Sequence, residues 1–272
     1  MVFSVAAPEG TPFPRTRSVD KNAQTPTGIA SDGATPAREG LTSVDDQLAA
    51  RYRRRFEAER EGREVVWRTL VDAWFSRYLE HASAVLDLGC GWGEFVNHVD
   101  VPTRYGLDLN PEAQRHLDPG VELIAQPASE PWPLQDRSLD LVFTSNFLEH
   151  LASREAITAT LAEAFRCLRP GGRMVCLGPN IRYARGAYWD FFDHLIPLTE
   201  RSLVEALELC GFRSEHVVPR FLPFTMAGRR PPPPLLIRAY LRCPPAWRLV
   251  GRQFLVVART PEEDRSLGRM KS

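Results

Sequence analysis

Between Val85 and Phe95 the chain reads VLDLGCGWGEF, and Asp108 follows nineteen residues after Gly89. Asp87 closes a short apolar run, and Gly89, Gly91 and Gly93 come next. Glycines there permit backbone conformations closed to other residues and let a ligand approach the main chain. A carboxylate at the distance of Asp108 can hold the two hydroxyls of a ribose. Three chemistries fit the phrase. One is an ordinary strand-to-helix turn. Another is a dinucleotide site, but that prefers GxGxxG, and Glu94 at the expected start of the next helix would repel a pyrophosphate. The third is a nucleoside ligand without phosphate, which meets neither objection.

A second concentration of reactive types lies in PNIRYARGAYWDFFDHLIPLT, residues 179–199. Tyr183, Tyr188, Trp189, Phe191 and Phe192 surround Asp190, Asp193 and His194. Aromatic rings stack on rings and sugar faces, and an imidazole titrates near neutrality. His194 is therefore the first candidate for a general base, with Asp190 or Asp193 to orient it. The same composition suits a loop whose aromatics finish the core around a structurally hydrogen-bonded His194. Both readings stay open. His150, in LEHL, ranks second as a base.

The five cysteines, Cys90, Cys167, Cys176, Cys210 and Cys243, form no CxxC pair. They make no Cys/His cluster of zinc spacing, so no metal is expected. A scattered, odd set also fits a reducing compartment.

From Pro219 to Arg252 runs a long stretch without an acidic residue, carrying Arg220, Arg229, Arg230, Arg238, Arg242, Arg248 and Arg252. Loops of this length usually serve function or hide a helix, and Leu235–Leu241 has the pattern of one. It reads either as a solvated surface or as an anion-facing patch for a phosphate-bearing acceptor or a membrane surface.

The elements that must position these groups follow from the hydrophobic pattern. Short apolar runs at Ala84–Leu88, Arg104–Leu109, Val121–Ala125, Leu139–Thr144 and Met174–Leu177 read as strands. Helical patterns separate several of them, as at Glu155–Leu168 and Thr199–Cys210. Phe212–Val218 and Gln253–Ala258 are the last strand candidates. Strands alternating with helices predict an α/β fold with a doubly wound parallel sheet. Ahead of it, residues 44–82 form a helical extension that Gly62 splits in two. Residues 1–43, rich in Pro, Thr, Ser, Gly and Ala, are expected to be a disordered tail, and 261–272 a C-terminal tail.

Lys+Arg and Asp+Glu are both 34, giving zero net charge, which argues against a protein that coats nucleic acid. All but Lys21 and Lys271 of those cations are Arg. The start, MVFSVAAPEG, is a poor signal peptide, and no apolar run approaches the roughly 18 residues of a spanning helix. A cytoplasmic protein is the expectation.

DLGCGWGEF followed by GLDLNP resembles motif I and the acidic second strand of class I methyltransferases. The resemblance extends over about 84–218, through PWPLQDRSLDLVFTSNFLEHL and EAFRCLRPGGRMVCLGPN. It implies a Rossmann-like seven-stranded sheet with an antiparallel last strand over 83–260. It also implies S-adenosylmethionine (SAM) as cofactor. By the same resemblance Asp87 and Gly89 lie near the methionine end of SAM, with Cys90 and Gly93 completing the loop. Gly91 lets the cofactor approach, Asp108 takes the ribose hydroxyls, and Leu109 packs on adenine. Asn146 and Phe147 face the methyl-donor end. Where relatives carry an adenine-binding Asp after strand three, this chain has AQPASEPW, so that contact would come from Gln126, Ala128 or Ser129, through backbone or side chain. Residues 179–199 would then be an acceptor lid. The block from Gly178 to Phe212, with the basic 219–252 connection, resembles a bacterial subgroup associated with cell-envelope polysaccharide biosynthesis. That implies a sugar or lipid-linked glycan acceptor methylated on oxygen. A small aromatic or quinone-like acceptor, or a SAM-binding protein without catalysis, are the alternatives.

Overall fold

The computed structural model describes residues 60–223 and 231–262. The expected tail at 1–43, the start of the helical extension at 44–59, Arg229, Arg230 and residues 263–272 lie outside the described residues.

Seven strands form one sheet: β1 (Ala84–Leu88), β2 (Thr103–Asp108), β3 (Val121–Ala125), β4 (Leu139–Ser145), β5 (Leu168–Pro179), β6 (Arg213–Val218) and β7 (Gln253–Arg259), in the order β3-β2-β1-β4-β5-β7-β6. The pairs β1–β2, β2–β3, β1–β4 and β4–β5 are parallel. β7 runs antiparallel to both β5 and β6. The helices are α1 (Arg60–Ala73), α2 (Arg154–Cys167), α3 (Ile181–Ala184), α4 (Glu200–Leu209), α5 (Pro234–Leu241) and α6 (Pro244–Val250).

Strand residues alternate between two cores because successive side chains leave opposite faces of a sheet. Val85, Phe143, Val175, Leu177, Leu255 and Val257 join one cluster. Leu86, Leu88, Val142, Met174, Cys176, Phe254 and Val256 join the other. The second cluster is roofed by α2 and α4, whose Ile157, Leu161, Ala164, Leu203 and Leu207 are buried at helical spacing. Ser153 caps α2 through the Ala156 amide. Thr199 and Ser202 form a reciprocal capping box on α4, a device worth roughly 0.5–2 kcal/mol.

The first cluster is covered differently. In place of the helix expected after Gly93, only a 3-10 turn at Val96–His98 forms there, and another at Pro111–Arg115 joins β2 to β3. The reason is local: Pro102 disfavours helix at the residue before it, and β2 starts at Thr103, leaving no room for a helix to cross back. Elements remote in sequence fill the gap. Val66, Leu70, Val71 and Trp74 from the N-terminal helical segment meet Ile237, Leu241 and Trp247 from α5 and α6 in one core. Trp74 packs on Phe221 and Trp247, with ring centroids 5.0 and 5.2 Å away. Gly62 does not split the extension; it is helical within α1, where a Cβ would come within 2.9 Å of the Pro231 ring. The break falls at Trp74, before a 3-10 turn at Phe75–Tyr78.

Candidate functional site

The parallel strands deliver the glycine phrase and Asp108 to one edge. Gly89 and Cys90 both donate to the Leu107 carbonyl, at 2.8 and 3.1 Å, so the turn after β1 stays attached to the end of β2. Asp108 then holds that turn: its Oδ2 accepts from Gly91 N–H and its Oδ1 from Asn110 N–H, each at 2.9 Å. Each oxygen keeps a lone pair for a further donor, which is what a ribose diol requires. Gly89 has φ +70, and a Cβ there would lie 2.3 Å from the Phe147 ring. Only glycine fits beneath that ring. Asp87 is 4% exposed. Burial pushes its carboxyl well above the usual range, although the Val96 amide donates to it. Leu109 is 68% exposed, an apolar side chain open to a flat ring beside Asp108.

The other expected cofactor residues divide. Gly91 and Gly93 take positive φ, and Cys90 turns its thiol into the core against Gly106. Asn146 has φ +50 and is exposed at the end of β4. Gln126 donates to the Pro131 carbonyl at 3.0 Å, which fixes its amide on its own loop. Trp92, not singled out from sequence, stacks on His116 at 4.0 Å and joins the turns after β1 and β2. That stack lines a groove of about 690 Å³ between α1 and the 93–101 turn. The Arg63–Glu94 ion pair at 2.6 Å lies in its wall.

The residues expected on the acceptor side come together at the ends of β4 and β5. The Glu149 carbonyl accepts from Leu195 and Ile196 at 2.8 and 3.0 Å, tying the turn after β4 to the 179–199 loop. Within that loop burial differs sharply from residue to residue. Tyr188 and His194 are buried, whereas Trp189, Phe192 and Leu195 are 56%, 81% and 52% exposed. His194 stacks on Phe191 at 4.9 Å and lies 5.0 Å from the His150 ring. Asp190 is exposed. Asp193 attends His150: its carbonyl lies 2.9 Å, and its carboxylate 3.5 Å, from Nδ1. Glu149, which the sequence reading passed over, is 2% exposed. Burial pushes its carboxyl up to about 7, against the pull of His150.

The basic connection carries fewer free cations than its composition suggests. Arg220 donates to the Gly251 and Leu249 carbonyls, and Arg238 lies 3.5 Å from Asp72. Arg242, Arg248 and Arg252 are exposed, as are Leu235, Leu236, Leu249 and Val250. Among the described residues no helix is long and apolar enough to cross a membrane.

Residues 86–176 match the family described as a methyltransferase domain. The chain is 33% identical over 158 residues to a Mycolicibacterium smegmatis protein named "Probable S-adenosylmethionine-dependent methyltransferase", covering 52% of this chain and 60% of that one. It is 31% identical over 145 residues to a malonyl-[acyl-carrier protein] O-methyltransferase of Hahella chejuensis, covering 48% of this chain and 51% of that one. The chain thus spans about half to three-fifths of the length of these relatives. In fold it is similar to a SAM-dependent methyltransferase from Archaeoglobus fulgidus, with a TM-score of 0.57 at 22% identity over 75% of this chain and 99% of the other.

Proposed function

We propose that this chain is a class I SAM-dependent methyltransferase that passes the methyl group of SAM to an oxygen of a sugar or lipid-linked glycan precursor. The observation that carries the transfer is the doubly tethered Asp108 beside the glycine turn. The residues present fit the cofactor: the turn admits no side chain at Gly89, Asp108 keeps acceptor capacity, and Leu109 offers an apolar face.

When bound, SAM supplies an electrophilic methyl group. The protein has to hold the acceptor oxygen in line with it and exclude competing water. Phe147 links the cofactor side to the acceptor side. Its ring covers Gly89, and two residues on, Glu149 anchors the 179–199 loop. Trp189 and Phe192, exposed on that loop, offer faces for a sugar ring. The hydroxyl proton leaves toward the cluster of Glu149, His150 and His194.

Oxygen as the acceptor atom is supported by the Hahella relative, which is named for O-methylation. A lipid-linked acceptor is supported by the exposed Leu235, Leu236, Leu249 and Val250 among Arg242, Arg248 and Arg252. Such a surface suits peripheral contact with an anionic bilayer. The test is incubation of purified protein and SAM with cell-envelope glycan precursors, read by mass spectrometry. A gain of one methyl on a glycan hydroxyl is expected; methylation only of quinone-like phenols would replace this acceptor class.

A further inference from the structure

We propose that Glu149, His150 and His194 form a binding site for a divalent transition-metal ion of the zinc class. The three residues each place one ligand atom so that all lie within 4.8 Å of one another. Bonds of about 2.0–2.2 Å to one ion would bring the donors to roughly 3–3.5 Å from each other, so modest side-chain rotations close the site.

Two features point to a cation. Glu149 is 2% exposed, and its Oε1 is buried with no hydrogen-bond partner among the described residues. A carboxylate oxygen in that position is costly until a proton or a cation meets it. His150 is already set as a ligand. The Asp193 carbonyl 2.9 Å from its Nδ1 can only accept, so Nδ1 carries the proton and Nε2 keeps its lone pair. The Asp193 carboxylate stands 3.5 Å from the same nitrogen. An imidazole N–H held by a carbonyl or carboxylate is the usual support of a metal-bound histidine.

Two imidazoles and one carboxylate favour zinc, cobalt or ferrous iron over magnesium or calcium, which take oxygen donors. Three protein ligands leave one coordination position open. An acceptor hydroxyl bound there would lose its proton more readily, because the ion stabilises the oxyanion; with the three side chains coordinated, water takes that proton in their place. His194 is then a ligand and not a free base. Nothing in the cysteine and histidine spacing signals the site, because the 179–199 loop reaches Glu149 only in the folded chain.

The site concerns metal occupancy and stands apart from the methyl-transfer reading, so the test needs neither SAM nor acceptor. Untagged protein is dialysed against zinc chloride, then metal-free buffer, and its zinc is measured by mass spectrometry. One equivalent is expected in the wild type, falling at least tenfold in Glu149→Gln and His150→Asn. Cys243→Ser, which removes an exposed thiol, should retain it. Cobalt substitution of the wild type gives a readout independent of any variant's folding: visible bands of a four-coordinate N/O site, without sulfur charge transfer. No retained zinc, retention unchanged in both variants, or a sulfur-type cobalt spectrum would overturn the proposal.

Discussion

The mouth of the sheet has two sides made of different materials. At the ends of β1 and β2 the site is largely backbone: glycines, their amides and one carboxylate that ties them together. At the ends of β4 and β5 it is side chain: a buried carboxyl and two imidazoles from turns far apart in sequence. The first side is tied together by its own amides, and the second holds a buried carboxylate oxygen with no hydrogen-bond partner among the described residues. Groups that bind a constant cofactor gain from being already satisfied and rigid. Groups that handle a proton or an ion must retain capacity.

The largest effect that sharpens this contrast belongs to His194. His194→Ala should lower turnover by about 10²–10⁴-fold while SAM affinity, measured by calorimetry, stays near wild type. Both a base and a metal ligand predict that split; equal loss of SAM binding would erase the division between the sides.

Asp108→Ala comes next. It removes a charged acceptor from the cofactor and releases the Gly91 amide. SAM affinity should fall by about 1.5–3 kcal/mol, and wild-type affinity would sink the ribose assignment.

The smallest effect lies away from the mouth, at Asp140. Burial would raise its pKa, but the Ser83 amide and hydroxyl, the Ala84 amide and Arg169 together hold it below the ordinary value. A depressed carboxyl stabilises the fold above its unfolded pKa, and that contribution is lost as pH falls through the folded value. Asp140→Asn should cost roughly 1 kcal/mol in denaturant titration at neutral pH, with the gap to wild type closing in acid. Turnover per folded molecule should not change.

The meeting of the glycine turn with Asp108 was legible in the sequence because its signal is local. Gly89 and Asp108 sit at fixed offsets from two strand ends, and parallel pairing of those strands brings them together. The strands and α4 were legible for the same reason, through periodicity and the Thr199 cap. The 179–199 loop was legible only as composition. Sequence order put Asp190 and Asp193 beside His194, but the fold gives Asp193 to His150 and brings Glu149 to His194. The helix expected after Gly93 does not form because Pro102 and the start of β2 at Thr103 leave it no room, and the cover of that face by α1, α5 and α6 is a tertiary solution that no window around residue 93 contains.

The place of β7 sets the order in which the molecule can be assembled. It lies between β5 and β6, pairing with both, yet it follows them in the chain. As the polypeptide leaves the ribosome, β6 has no partner until the whole 219–252 connection has emerged. Until then β5 presents an open, apolar edge, the kind that recruits other chains. Completion of the sheet is therefore a late, long-range closure. A chain interrupted before Gln253 should be rescued poorly by dilution and better by a chaperone that shields strand edges.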